Sequence, residues 1–353
     1  MTSTSAPELS VRSPADLIAA VPYLLGFHPA DSVVAVAVRG PRIVFAARGD
    51  LPPVGAAAHE RDGLAAHVAS VLGRQGATAV MVVGYGPAGR VTPAVDALLA
   101  ALRRADLDML EALRVTDRRY WSYLCERADC CPPEGIACDP TSSPLAAAAS
   151  YAGQVALPDR ATLVAQVAAD EYADREPMRL ATERAGRRMR LLVAEAPPGD
   201  VLGRRRLRLA GQAAVREALE RHRCGGRLTD DEVAWLTVLL GHLPVRDHAW
   251  EHITDDECHV TLWLDVVRRA APDLVAPAAS LLSFAAWRQG QGALASVAVE
   301  RALRAAPDYS MARLMDEVLR HGLPPSALAD WPPARLWPAR SRPGRRRPSR
   351  LRR

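Results

Sequence analysis

Four cysteines in one short segment are the residues of this sequence best suited to chemistry. They lie within fourteen residues of one another: Cys125, Cys130, Cys131 and Cys138. Thiolates this close can bind a metal ion, form a redox pair or stay reduced as packing side chains. The C-x4-C-C-x6-C spacing lacks paired C-x2-C knuckles, and adjacent cysteines seldom reach the same tetrahedral ion. All four thus stay weak metal candidates, while packing thiols and a redox pair stay open with equal weight.

The chain around these cysteines suggests which of them could pair. Pro132, Pro133 and Gly135 form a Pro-Pro-x-Gly turn, and the residues before Cys125 form a β-type run over 119–124. Such a turn would hold the second cysteine segment near the end of that strand. We therefore predict no bound zinc, and a pair among Cys125, Cys130 and Cys131 that oxidises readily.

A second polar cluster lies near the start of the chain. Its members are the catalytic candidates of the first half: Asp16, His28, Asp31 and Ser32. A loop that enters a buried strand can hold an imidazole beside a carboxylate, which is how a general base or a metal ligand is oriented. The same residue types also form ordinary turn hydrogen bonds. With one His and no identifiable distant partner, the sequence favours the turn.

The run Gly84-Tyr85-Gly86-Pro87-Ala88-Gly89 matches the dinucleotide fingerprint G-x-G-x-x-G and follows a β-type run. We expect the next helix to begin at Thr92-Pro93, three residues beyond Gly89. Its first amides would then point away from a pyrophosphate. The sequence therefore favours a plain turn, with Gly84, Gly86 and Gly89 as weak candidates, and we expect no cofactor.

The first half of the chain must position these groups, and its apolar pattern predicts an α/β domain over residues 13–140. Ser13 and Pro14 are typical of a helix start. The β-type runs alternate with helical ones in the order ββαβαββ, which predicts a mixed sheet with flanking helices. The strands are expected at 32–38, 42–47, 78–84, 109–115 and 119–124, and the helices at 13–25, 59–74 and 93–104.

Residues 141–325 show helical patterns only and predict a second, all-helical domain. Thr229 and Glu232 have the spacing of a capping box before an apolar run. Near the end of this region, small and apolar residues have the spacing of a tetratricopeptide-like helix: Ala295, Val299, Ala302, Leu303 and Pro307. No second copy at a 34-residue period is evident, so an ordinary helical hairpin is favoured.

Charge is distributed unevenly along the 353 residues. All 45 basic residues are Arg, and the formal net charge is +5. The Pro- and Arg-rich tail over 326–353 holds nine Arg from residue 334 onward and no acid in that stretch, so the rest of the chain is net acidic. We therefore expect nucleic acid to bind only non-specifically, through this tail. The tail and residues 1–12 are expected to be mostly disordered.

The N-terminus lacks the pattern of a secretory signal, and no apolar stretch reaches the length of a membrane span. These features predict a cytoplasmic protein with no membrane partner. In a reducing compartment, six cysteines in a chain this long would not form a disulfide framework.

Several strings resemble an actinobacterial family known as a domain of unknown function, DUF4192. They are SPAD at 13–16, PYLLGFHPADSVV at 22–34, Cys125 with CCPPEG at 130–135, AAW at 285–287, and the Gly, Ala and Leu residues at 290–303. The resemblance extends to about Pro325 and implies kinship, but no activity. Our first hypothesis is a protein-binding module built on the helical domain. The alternative is an enzyme that uses His28, Asp31 and the cysteines for thiol redox or hydrolytic chemistry.

Overall fold

The computed structural model describes residues 11–169 and 175–328. Nearly all of the two segments expected to be disordered, including the nine tail arginines, lies outside the described residues. The first half contains a sheet with three helices, α1 (Pro14–Leu25), α2 (Ala58–Arg74) and α3 (Ala88–Arg104). Its strands are β1 (Ser32–Arg39), β2 (Arg42–Asp50), β3 (Ala79–Tyr85), β4 (Asp108–Thr116), β5 (Arg119–Ser122) and β6 (Ile136–Ala137).

The sheet is mixed, as the sequence predicts. Its strand order is β2-β1-β3-β4-β5-β6. β3 and β4 are parallel and are connected by α3, whereas every other neighbouring pair is antiparallel. β6 has only two residues and was not predicted, since a pair of residues carries no periodicity.

Each face of the sheet packs against different helices. In β1, Val34 and Val36 point into a large buried cluster that also contains α1, while Ala35 and Ala37 point toward α2 and α3. Successive strand residues point to opposite faces, so a strand covered on both sides becomes apolar throughout. This burial explains the continuous Val/Ala run of β1.

The second half is helical, which confirms the predicted architecture. The capping box also forms: Thr229 Oγ1 accepts from the Glu232 amide at 3.3 Å, and Glu232 accepts from the Thr229 amide at 2.8 Å. The helices are α4 (Pro144–Tyr151), α5 (Arg160–Val167), α6 (Glu176–Ala194), α7 (Arg204–Arg223), α8 (Asp230–Leu240), α9 (Leu243–Glu251), α10 (Cys258–Arg269), α11 (Val275–Arg288), α12 (Gly292–Ala305) and α13 (Ser310–Arg320). Within the described ranges, no helix is both long and apolar enough to cross a membrane.

The two halves share one hydrophobic core. A single buried cluster extends from Val34 of β1 to Trp263 of α10 and Phe284 of α11. Residues on both sides of position 140 belong to this cluster, so the two halves pack directly against each other. The boundary at 140–141 and the tetratricopeptide-like end remain predictions.

The end of α13 is fixed to α2 by hydrogen bonds to consecutive carbonyl oxygens. The pairs are His67 with Arg320 at 2.9 Å, Arg74 with His321 at 3.2 Å, and Gln75 with Gly322. The next carbonyl, of Leu323, accepts from the Trp287 indole at 2.8 Å. The last carbonyls of a helix have no partner within the helix, so these side chains supply a cap from distant parts of the chain.

Three element boundaries differ from the predictions by two residues or more, and the first is the end of β2, at Asp50 rather than at residue 47. α3 begins at Ala88 rather than at Pro93, because Pro87 is extended and acts as N-cap; Pro93 lies inside the helix, where its missing amide removes one backbone hydrogen bond without ending the helix. β5 ends at Ser122 rather than Leu124. The hydroxyl of Ser122 accepts from the amides of Leu124 and Cys125, which turns the chain away from the sheet.

Candidate functional site

The cysteines lie on the loop between β5 and β6, and the base of that loop is fixed to the sheet. Ser122 Oγ donates to Glu111 of β4 at 2.8 Å and accepts from the Cys125 amide at 3.3 Å. The Tyr123 amide donates to Ala112 of β4 at 2.8 Å. Cys125 is therefore held one short turn beyond the last strand residue.

A second turn brings Cys130 and Cys131 back toward Cys125. Their amides donate to the same acceptor, the carbonyl of Arg127, at 3.2 and 2.8 Å respectively. Arg127 also forms an ion pair with Asp129 at 2.6 Å across this turn. Both thiols of the adjacent pair consequently reach the same side of the loop.

The Pro-Pro-x-Gly turn fixes the far side of the loop against an indole. The Gly135 amide donates to the Pro132 carbonyl at 2.9 Å, and Trp121 Nε1 donates to the Pro133 carbonyl at 2.9 Å. The guanidinium of Arg114 lies over the Trp121 ring, 3.7 Å from its centroid. A Cβ on Gly135 would meet the indole at 2.5 Å, so only glycine allows this contact.

Three thiols converge in this loop, which we call the cysteine corner: Cys125, Cys130 and Cys131. Their Sγ atoms all lie within 4.8 Å of one another. Cys125 and Cys130 are separated by 2.9 Å, and Cys130 and Cys131 by 3.6 Å. Cys130 is exposed and the other two are half-buried. Cys138 lies outside this group and packs against the core beside the sheet.

The three thiols differ in acidity because of their mutual hydrogen bonds. The contact between Cys125 and Cys130 allows either sulfur to donate; with Cys125 as the acceptor, hydrogen bonds from Cys130 and Cys131 hold its pKa below the ordinary thiol value. The same bond raises the pKa of the donor Cys130. Donation to Cys125, together with desolvation, raises the pKa of Cys131 to about 12. Cys125 is thus the thiol that ionises first, and the thiolate is the nucleophilic form of cysteine.

The same three sulfurs could hold a soft metal ion. Structural zinc takes four ligands with Zn–S distances of about 2.3 Å, so the sulfurs of one site lie about 4 Å apart. The 3.6 Å between Cys130 and Cys131 fits such a site, whereas the 2.9 Å between Cys125 and Cys130 would have to lengthen by about 1 Å. Among the described residues, however, no fourth His, Cys, Asp or Glu joins the group.

The early polar candidates are placed apart from the cysteine corner. Asp31 precedes β1, and three strand spacings separate β1 from β5, or about 14 Å. Asp31 forms an ion pair with Arg90 at 2.7 Å. The His28 amide donates to the Leu157 carbonyl at 2.9 Å, which ties this loop to the helical half. The structure therefore does not unite His28 and Asp31 with the thiols in one site.

Asp16 and Ser32 have local environments of their own. Asp16 lies in the first turn of α1, where its amide donates to Ser13 and its carboxylate accepts from the Arg12 amide. Ser32 is fully buried, and its hydroxyl has no hydrogen-bond partner among the described residues. Ser32 is the register partner of Tyr85 across β1 and β3. The phenol of Tyr85 is likewise buried without a described partner, and burial raises its pKa.

The glycine-rich run forms a strand, turn and helix. α3 begins one residue after Pro87, so its N-terminus lies closer to the glycines than the sequence suggested. A Cβ on Gly84 would lie 2.2 Å from the Val91 side chain. Position 84 therefore requires glycine because α3 packs closely against β3 there. The carboxylate of Asp31 lies beside Gly86 and binds Arg90 in the first turn of α3. The protein's own carboxylate thus lies where an anionic ligand of this turn would be expected.

Sequence reasoning missed the supporting side chains of the cysteine corner, Ser122, Trp121 and Arg114. Only Ser122 left a local signal, because a Ser three residues before a Cys can accept its amide in a turn. Trp121 and Arg114 come together through pairing of β4 with β5, which the sequence of either strand does not specify.

Comparison with known protein families identifies the family of the chain. Searches of curated proteins and of solved structures found no match. Residues 14–326 match the family described as a domain of unknown function, DUF4192. That match covers the α/β half, the cysteine corner and nearly all of the helical half, and on this basis the chain belongs to the DUF4192 family.

Proposed function

We propose that the cysteine corner is a thiol redox site in which Cys125 and Cys130 form a reversible disulfide. The observation that carries this proposal is the 2.9 Å separation of their Sγ atoms in a solvent-accessible loop. A disulfide bond is about 2.05 Å long, so the two sulfurs need to approach by only about 1 Å. Small side-chain rotations are enough for that movement.

Each thiol has a distinct role in this chemistry. The Cys125 thiolate attacks a hydroperoxide, its O–O bond breaks, the leaving oxygen takes up a proton, and Cys125 becomes a sulfenic acid. The Cys130 sulfur then attacks that sulfenic sulfur, forms the S–S bond and releases water. Two thiols are oxidised by two electrons and the peroxide is reduced. Cys131, with a pKa of about 12, remains protonated and acts as a hydrogen-bond donor to the Cys125 thiolate.

A reducing compartment suits such a site. The sequence predicts a cytoplasmic location, where the thiol pool would return the disulfide to two thiols. The disulfide would close a loop of only a few residues, so its formation should stabilise the fold little. This combination fits a reversible switch better than a structural cross-link.

Oxidation followed by intact-mass measurement tests the proposal. One equivalent of hydrogen peroxide should remove two hydrogens from the mass, and peptide mapping should find Cys125 linked to Cys130. Cys125→Ser and Cys130→Ser should each abolish the cross-link, whereas Cys131→Ser should retain it. Cys224→Ser is the matched control, because this exposed thiol lies at the end of α7 and outside the corner. Full alkylation of all three thiols after peroxide treatment would contradict the proposal.

The convergence of a third thiol favours one further candidate, a metal site. For a metal site, the three variants Cys125→Ser, Cys130→Ser and Cys131→Ser should each lower the metal content by the same amount. Elemental analysis of desalted protein measures this directly. About one zinc per chain in the wild-type protein, lost in Cys131→Ser, would replace the redox proposal.

A binding role of the helical half is also retained as a proposal, with a lipid surface rather than a protein as the partner that its exposed charges favour. The observation that supports it is an exposed surface at the turn between α6 and α7, where arginines with no ion pair among the described residues lie near solvent-exposed aliphatic side chains. Exposed apolar patches of this kind commonly mark interaction sites. Substitutions in this surface should weaken binding of the partner and leave the cysteine chemistry unchanged.

A further inference from the structure

The turn between α6 and α7 exposes an unusual amount of aliphatic surface. We call residues 187–209 the hairpin tip. The exposed fractions of its aliphatic side chains are 59% for Leu191, 69% for Val201, 66% for Leu202 and 52% for Leu209. Single exposed aliphatic side chains are common, but here four lie close along the chain at one end of a helical hairpin, and we call them the aliphatic patch.

Backbone hydrogen bonds fix the conformation of the hairpin tip. The Asp200 carboxylate caps α7 by accepting from the amides of Arg205 at 2.8 Å and Arg206 at 3.1 Å. These bonds hold the pKa of Asp200 below its usual range. Leu202 adopts a φ of 56°, in the left-handed region that non-glycine residues seldom occupy. A strained backbone that keeps Leu202 in solvent is consistent with a role for that side chain outside the fold.

Positive charge surrounds the patch. Residues 187–216 contain eight Arg and only two acids, Glu195 and Asp200. One of these acids is already engaged as the cap of α7. Five exposed arginines of this segment have no ion pair in the described structure: Arg187, Arg190, Arg204, Arg205 and Arg208. By contrast, Arg179, Arg184 and Arg221 on the same two helices pair with carboxylates.

We propose that the hairpin tip docks on an anionic lipid surface. Val201 and Leu202 would enter the boundary between headgroups and acyl chains, and the surrounding arginines would bind headgroup phosphates. A nucleic acid fits less well, because single-stranded sites use aromatic side chains for stacking and the hairpin tip contains none. This peripheral contact needs no membrane-spanning helix, and it departs from the sequence-based expectation of no membrane partner.

Co-sedimentation of the full-length chain with vesicles tests the proposal. The probes are phosphatidylcholine vesicles with and without 30 mol% phosphatidylglycerol, a composition chosen to supply negative charge. Two variants separate the two contributions: Arg205→Gln with Arg208→Gln for charge, and Val201→Ser with Leu202→Asn for the aliphatic tip. Asn at position 202 tolerates the left-handed conformation. Each variant should weaken partition onto the anionic vesicles by about tenfold.

Matched controls show whether the effect belongs to the hairpin tip. Arg103→Gln with Arg104→Gln removes two charges from the end of α3, and Leu110→Ser removes an exposed aliphatic side chain of β4. Both controls should bind like the wild-type chain. Since the Arg-rich tail can also attract anionic vesicles, hydrogen exchange must locate the contact. The amides of residues 195–209 should be protected by anionic vesicles only.

Three results would overturn the proposal. The first is unchanged partition of both hairpin-tip variants. The second is hydrogen-exchange protection confined to the tail. The third is protection of the hairpin tip by single-stranded RNA but not by vesicles, which would identify nucleic acid as its partner.

Discussion

Replacement of Gly135 by alanine is the sharpest test of how the cysteine corner is built. Gly135 has a φ of +78°, and its Cα faces the Trp121 indole so closely that an added Cβ would lie 2.5 Å from the ring. The left-handed backbone costs a non-glycine residue about 1–2 kcal/mol. Overpacking against a held ring costs about 1–3 kcal/mol more. We therefore expect Gly135→Ala to lower the free energy of unfolding by about 2–5 kcal/mol.

The measurement is urea unfolding followed by fluorescence, with peroxide-driven disulfide formation as a second readout. Displacement of Trp121 should break its hydrogen bond to Pro133 and release the turn after Cys131. The pairing of Cys125 with Cys130 should then become slower. Part of the lost stability should be local: the sheet edge should open more often, and the amides of residues 130–137 should exchange hydrogen faster.

Gly89→Ala is the matched control because it should have the opposite sign. Gly89 lies in the first turn of α3 with open space around its Cα. Alanine favours a helix over glycine by about 0.5–1 kcal/mol, so this variant should be slightly more stable. Equal stability of Gly135→Ala and the wild-type chain, with unchanged cysteine chemistry, would refute this account of the corner.

Three further outcomes are expected. Gln75→Ala should lower the free energy of unfolding by about 1–2 kcal/mol in urea titrations, because the Gly322 carbonyl loses a buried donor. Ser32→Ala should leave stability unchanged or raise it by up to about 1 kcal/mol, since its buried hydroxyl has no described partner; a large loss would reveal a hidden one. Burial, together with the nearby charges of His252 and Arg216, lowers the pKa of His248 to about 4. Between pH 6.5 and about 4, His248 is protonated in the unfolded chain but not in the folded one. Stability is therefore lost as the pH falls through this range, and the urea midpoint should fall with it. His248→Gln should make that dependence shallower without abolishing it, because burial also lowers the pKa of His222, His242 and His259, and an unchanged pH profile in this variant would contradict the assignment.

Much of the architecture was predictable because local patterns specify it. The period-two runs before and after Gly40 predicted β1 and β2, and the structure places both there. Thr229 and Glu232 predicted the start of α8 because a capping box involves residues only three apart. The predicted start of α3 was wrong because it depended on Pro93. Proline is typical of the first turn of a helix, but Pro93 lies inside α3.

The candidate site was predictable only in part. The cysteine cluster is visible in the sequence, since its members are close along the chain. The order of their acidities is not, because it depends on which sulfur accepts the hydrogen bonds in the folded loop. The sequence also suggested that His28 and Asp31 could act with the cysteines, whereas the strand order places β1 three positions away from β5.

The sequence by itself determined the succession of β1 to β5 and α1 to α3 along the chain, the caps of α1 and α8 and the position of the cysteines, because these features depend on neighbours a few residues apart. Only the tertiary structure decided which distant groups meet. The cap that α2 provides for the end of α13 joins Gln75 to Gly322, and the stack of Arg114 on Trp121 requires β4 to pair with β5. Such contacts follow from the packing of whole elements, where many weak apolar contacts fix the geometry together, so no local pattern encodes them.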